Sequence, residues 1–218
     1  MSSLFERYRP ASWEEVVGQS KAVGILRRLA GRGELSGRAY WLSGSSGTGK
    51  TTIARLLALD IADDFGIEEL DATTLTVARL GELERSLAYK GMGSRTGRAL
   101  IINEAHGLRK DVIRSLLVVL ERLPAHAVVI FTTTCDGQES LFDDCDDSAP
   151  LLSRCLRLDL ARRGLAEPFA ARVQEIARAE GLDGRPIADY IRLAKDQRNN
   201  FRGMLGSVEA GAMLAPAD

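Results

Sequence analysis

Cysteine is scarce in this 218-residue sequence, and its spacing excludes a metal module. Cys135, Cys145 and Cys155 form no C-x-x-C pair, and neither His106 nor His126 is spaced to complete a zinc set, so reduced structural thiols are expected. Long apolar runs are missing as well. The longest, such as Leu116 to Leu120 and Ala127 to Phe131, are too short to cross a bilayer, and Met1 to Arg9 holds no apolar signal segment. These absences predict a cytoplasmic protein with no membrane partner. An excess of one charge is also lacking: the formal net charge is −1. That excludes a broadly basic nucleic-acid-binding body, so contact with nucleic acid would come from a local patch or from several subunits together. No internal repeat is evident.

What is present is a chain 45% apolar, enough for a substantial core in one or two domains. Short apolar strands near 39–43, 67–71, 98–103, 127–132 and 155–159 alternate with helical patterns near 20–33, 51–63, 74–89 and 109–122. Such alternation predicts βαβ units and a parallel sheet. In the last of these helices Val112, Ile113, Leu116, Leu117 and Leu120 make a core-facing stripe. From about Leu165 the strands stop. Helical stretches around 165–180, 186–197 and 200–213 predict a small all-helical second domain, giving 1–160 as the α/β domain and 161–218 as the helical one.

Residues 44–51 complete the pattern G-x-x-x-x-G-K-[ST], fed by the apolar run Ala39 to Leu42 and followed by the helical pattern Ile53 to Leu59. That setting favours a phosphate-binding loop over a flexible Gly/Ser linker. Gly44, Gly47 and Gly49, with Ser45, Ser46 and Thr48 between them, leave backbone N–H groups free to wrap a polyphosphate, and the helix starting near Lys50 points its positive dipole end at the same anion. Lys50 is expected to reach the β- and γ-phosphates, the Thr51 hydroxyl to ligate Mg²⁺, and Thr52 to complete the loop. The strand Ala99 to Ile102 ends in Asn103 and Glu104. A strand-end Glu is either a simple cap or, beside a phosphate loop, a base that polarises the attacking water; the pairing selects Glu104 as base. His106 is read as structural. The acidic cluster Asp143 to Asp147 is either a solvated loop or a divalent-ion site.

With those motifs in place the chain resembles the AAA+ ATPases, and among them the clamp-loader subunits of DNA polymerase III and replication factor C, from Leu4 to about Ala212. Glu6 to Pro10 and Ser12 to Gln19 resemble the family's adenine-binding segment, which implies base contacts from Arg7, Tyr8, Arg9, Pro10 and Val17. The resemblance implies a P-loop NTPase fold with a five-stranded parallel sheet and a helical lid, and ATP with Mg²⁺ as its ligands. It makes Thr134 the sensor 1 residue and Arg202 the lid's sensor 2 arginine. Ser153, Arg154 and Cys155 match the family's Ser-Arg-Cys signature, whose arginine enters a neighbouring subunit's ATP site. A cation there neutralises charge built up in phosphoryl transfer, an effect worth about 10³ to 10⁵ in rate in related NTPases. By pattern alone, Arg154 could instead pair with a nearby aspartate and Arg202 could face solvent.

The resemblance also implies a homo- or hetero-oligomer through the Arg154 face, with a sliding clamp and primer-template DNA as partners. Lys90, Arg95, Arg98, Arg109, Lys110 and Arg114 either track phosphates inside a ring or are solvated. Four departures stand out: Asn103 where the family usually has Asp, an ending at Asp218 without the C-terminal collar, no cysteine-rich zinc module, and a longer acidic connection between Thr134 and Ser153. A neutral amide at the metal predicts weaker Mg²⁺ affinity and slower turnover. Two other readings remain: a branch-migration or helicase-loading motor of the same superfamily, and a regulatory subunit that binds ATP without cleaving it.

Overall fold

The computed structural model describes residues 2–134 and 148–215. Its residues group into two compact units. One is Ala22–Gly44 with Lys50–Asp159; the other is Met1–Lys21, Ser45–Gly49 and Leu160–Asp218.

The first unit is built on five parallel strands: β1 (Arg38–Ser43), β2 (Ile67–Asp71), β3 (Arg98–Asn103), β4 (Ala127–Thr133) and β5 (Cys155–Asp159), in the order β2-β3-β4-β1-β5. β4 is buried at every position and β1 at all but its first, as expected for a sheet covered on both faces. Alternate residues serve opposite faces. Ala39, Trp41, Leu100, Ile102, Val129 and Phe131 join one core with Leu80 and Leu83 of α4 (Val77–Leu87) and Val112, Ile113 and Leu116 of α5 (Lys110–Glu121). Trp41 and Phe131, register partners, stack with ring centroids 5.4 Å apart. α3 (Lys50–Ile61) packs against β1, β3 and β4 and buries Ile53 and Leu57 completely.

The second unit has its own core. Leu4 of α1 (Leu4–Arg7) is buried with Leu165, Phe169 and Val173 of the α7 region (helix Ala166–Ala179), Tyr190 of α8 (Ile187–Asp196), and Met204, Leu205 and Val208 of α9 (Phe201–Glu209). α2 (Ser20–Gly31) and the short α6 (Ser148–Ser153) complete the α-helices of the described residues.

The strands fall where the alternation places them, within one residue. α9 ends four residues before the expected 213, where the chain turns through Gly211 at φ +83°. α1 and α6 were too short to carry a periodic signal. Compared with the expected division into 1–160 and 161–218, Met1–Lys21 and Ser45–Gly49 group with the C-terminal helices, because Leu4 is buried and Phe5, Tyr8 and Val17 are partly buried against that core. The acidic cluster Asp143 to Asp147, with Cys135 and Cys145, lies outside the described residues.

Two outcomes test this packing. Phe131→Ala is expected to lower the unfolding free energy by about 3–5 kcal/mol, read from the denaturant midpoint. Burial pushes the Cys155 thiol up to about 12, so at pH 8 in the native protein this cysteine should resist alkylation until denaturant is added, as mass spectrometry of the Cys155 peptide would report.

Candidate functional site

The parallel register brings Ser43, Thr133 and Asp159 level at the carboxyl edge of the sheet, and Asp71 level with Asn103. In sheets of this kind ligands bind outside that edge. Gly44 extends the β1–β4 ladder by donating its N–H to the Thr133 carbonyl at 3.3 Å. Lys50, the first residue of α3, is buried, and its Nζ donates to the Gly44 carbonyl at 3.0 Å, so the lysine reaches the residue that follows β1. Thr51 is half-buried and Thr52 buried in the first turn of the same helix. The Ser43 hydroxyl donates to Asp159.

Asn103 ends β3 with both halves of its amide engaged. Its Oδ1 accepts from the Thr132 hydroxyl at 2.9 Å and its Nδ2 donates to Glu69 Oε1 at 2.7 Å, while Arg55 of α3 donates to the other Glu69 oxygen at 2.6 Å. Glu104 follows in the left-handed region at φ +51°, ψ +48°. A non-glycine residue held there costs on the order of 1–3 kcal/mol, and such strain clusters at functional positions. The Glu104 side chain is 46% exposed, with its carboxylate 3.5 Å from His106 Nδ1, which also lies 3.3 Å from the Thr133 hydroxyl. His106, read from sequence as structural, therefore belongs to the surroundings of Glu104. Thr134, the expected sensor, is half-buried just beyond the end of β4; the hydroxyl that meets Asn103 comes from Thr132.

Arg154 is exposed, and its guanidinium pairs with Glu121 and donates to the Pro150 carbonyl at 3.0 Å. Among the described residues its carboxylate partner is a glutamate. Of the basic residues considered for nucleic acid, Arg98 is tied to the carbonyls of Tyr89 and Phe65, and Arg109 lies 3.4 Å from Asp111; Lys90, Arg95, Lys110 and Arg114 are exposed.

The other unit holds the turn Ser45–Gly49. The Phe201 N–H at the start of α9 donates to the Gly47 carbonyl at 3.2 Å, and Gln19 Nε2 donates to the Thr48 carbonyl at 3.2 Å. Gln19 also exchanges hydrogen bonds with the backbone of Ala161. Asn200 caps α9 by accepting from the Gly203 N–H at 3.0 Å. Gly47 has φ +72°, and a Cβ there would fall 1.9 Å from Asn200 Oδ1, so two independent constraints require glycine. Sequence reasoning assigned Gly47 to phosphate access alone and gave Gln19 and Asn200 no individual role; no periodic or charge signal marks either.

In the adenine-like segment, Arg7 and Tyr8 both bond Glu180 of the loop after α7, at 2.6 and 2.7 Å, and Arg9 pairs with Glu6 at 2.6 Å. Pro10 and Val17 are half-buried. Arg202 is exposed, with its guanidinium 4.3 Å from the centroid of the Phe5 ring.

Among the described residues no cluster of three or more His, Cys, Asp or Glu could hold a metal ion. The oxygens expected for Mg²⁺, the Thr51 hydroxyl and the Asn103 amide, are hard donors and few, which suits an ion that keeps its waters and leans on phosphate oxygens. No helix among the described residues is long and apolar enough to cross a membrane.

A phosphate-loop motif after the first strand and a parallel sheet in this order define a P-loop nucleotide-binding protein of AAA+ fold. The chain belongs to the ATPase family associated with various cellular activities (AAA), whose sequence model matches residues 40–158. It is 32% identical over 157 residues to DNA polymerase III subunit gamma/tau of Mycobacterium tuberculosis, covering 61% of this chain and 27% of that one. Against DNA polymerase III subunit tau of Escherichia coli it is 29% identical over 225 residues, covering 93% of this chain and 33% of the relative. The chain thus spans a third or less of these two relatives. A solved RuvB chain of Thermotoga maritima shares the fold at TM-score 0.72 and 23% identity, covering 93% of this chain and 64% of that one.

The Gly47 constraint is testable. Gly47→Ala should cost about 1–3 kcal/mol of stability, whereas Gly24→Ala, on α2 with its nearest neighbour atom 3.7 Å away, should be neutral or stabilising by about 0.5–1 kcal/mol. Parallel urea melts read both.

Proposed function

We propose that this chain is an ATP-hydrolysing AAA+ module that works in a cytoplasmic oligomer of clamp-loader type, converting ATP occupancy into assembly around primer-template DNA or a sliding clamp. The observation that carries the reading is the pairing of a phosphate-loop motif after β1 with a strained, half-exposed Glu104 at the end of β3; the DNA polymerase III names of the relatives supply its setting.

In this scheme Gly44 to Thr52 hold the phosphate tail through backbone N–H groups, and the Lys50 ammonium exchanges the Gly44 carbonyl for phosphate oxygens. Thr51 and Asn103 would hold Mg²⁺, which when bound neutralises charge on the β- and γ-phosphates. Glu104 accepts a proton from the attacking water, and Thr134 and Arg202 report the γ-phosphate. Arg7, Tyr8, Arg9, Pro10 and Val17 face the base. Arg154 is donated to the site of a neighbouring copy or subunit. Its ion pair with Glu121 is solvent-exposed on both sides, and such pairs are worth about 0–1 kcal/mol, so release costs little.

One observation favours a second reading, in which ATP is bound and cleaved slowly or not at all. The Asn103 amide is satisfied by Thr132 and Glu69, so a neutral residue is well accommodated where relatives of this type place a carboxylate.

Phosphate-release and calorimetric measurements separate the readings. Lys50→Ala should abolish uptake of Mg²⁺-ATP. Glu104→Gln should retain uptake and lose about 10²-fold or more in turnover; unchanged turnover would remove Glu104 as the base. No heat of ATP or ADP binding by the native protein would end the whole scheme. A large gain in turnover for Asn103→Asp would mark the native site as attenuated and support the second reading.

A further inference from the structure

Arg202 rests on Phe5, a residue given no role in the scheme above. We propose that Phe5 is a positioning residue for Arg202: its ring holds the guanidinium at the start of α9 without neutralising it, keeping the cation ready for a triphosphate. The inference rests on the reading of Arg202 as a γ-phosphate contact.

Three features of one unit carry it. First, the Arg202 guanidinium lies 4.3 Å from the Phe5 centroid, and among the described residues no carboxylate pairs with it. Arg9 lies 4.7 Å from the same ring, but its charge is offset by Glu6 at 2.6 and 3.3 Å. Second, Phe5 is fixed relative to α9. Leu4 beside it is buried in the core that contains Met204, Leu205 and Val208, and the Leu4 N–H donates to Glu209 Oε1, at the far end of α9, at 2.6 Å. Third, the residue before Arg202 donates its N–H to the Gly47 carbonyl of the phosphate loop, which places the root of the arginine against that loop.

The chemistry of the resting partner matters. A carboxylate that orients an arginine also cancels its charge, and a phosphate must break that ion pair to recruit it. An aromatic face attracts a cation through its quadrupole and restricts the side chain while leaving the full positive charge in place. Arg7 and Arg154 rest on Glu180 and Glu121 and are of the first kind; Arg202 is of the second. A side chain rich in rotamers loses part of that freedom before the nucleotide arrives, so ordering on binding costs less.

The test compares affinity for a slowly hydrolysed ATP analogue with affinity for ADP, by calorimetry on the full chain with Mg²⁺. Phe5→Leu should lower the ratio of the two affinities about two- to five-fold, the share of the arginine's rotamer freedom regained in the free chain, and Phe5→Tyr should keep it near the native value. In an Arg202→Ala background Phe5→Leu should change the ratio no further. A merely structural loss would weaken both ligands together and leave the ratio unmoved. The proposal is overturned if Phe5→Leu leaves the ratio intact while Arg202→Ala lowers it, or if Phe5→Leu lowers it equally with and without Arg202. An unchanged ratio in Arg202→Ala would overturn the underlying reading of Arg202 and the inference with it.

Discussion

β1 pairs with β4 on one side and β5 on the other, and the rest of the site depends on that arrangement. A strand with neighbours on both edges and helices over both faces has no freedom to slip, since a one-residue shift would turn Trp41 and Leu42 to the wrong faces. The last strand residue and Gly44 are therefore fixed to within the ladder. Gly44 makes the final rung to Thr133, and the Lys50 ammonium closes back onto its carbonyl. Gly44 is thus held at the strand exit by the sheet and by the lysine that opens α3.

The chemistry-bearing residues of β3 and β4 are arranged by the same register. Asn103, Thr132 and Glu69 come from three adjacent strands and form a continuous chain of hydrogen bonds that ends on Arg55 of α3. Each member satisfies the next: the hydroxyl donates to the amide oxygen, the amide nitrogen donates to the carboxylate, and the guanidinium offsets the charge that remains. A network with every polar group paired specifies a single arrangement of the strand ends. It also explains how an uncharged side chain is held at the end of β3.

Much of this was legible from sequence because the signals were local. The five strands and the long helices follow from periodicities of 2 and 3.6, and the phosphate loop from glycine spacing beside Lys50. Glu104 was visible as an acid at a strand end, though its left-handed backbone was not, since no composition rule places a glutamate there. What escaped were contacts joining distant parts of the chain. Gln19 to Thr48 and Ala161, Asn200 to Gly47, and Phe5 to Arg202 involve residues 29 to 197 apart whose individual types are unremarkable. The grouping of the first 21 residues with the C-terminal helices was missed for the same reason: α1 is four residues long, and its one buried leucine finds its partners more than 150 residues away. A strand or helix announces itself over a window; a pairwise contact across the fold does not.

The backbone at Glu104 carries a local conformational cost. At φ +51° any side chain beyond glycine is disfavoured, so drift toward glycine at this position would relax the chain rather than harm it. A glutamate there is a local cost that a glycine would not carry.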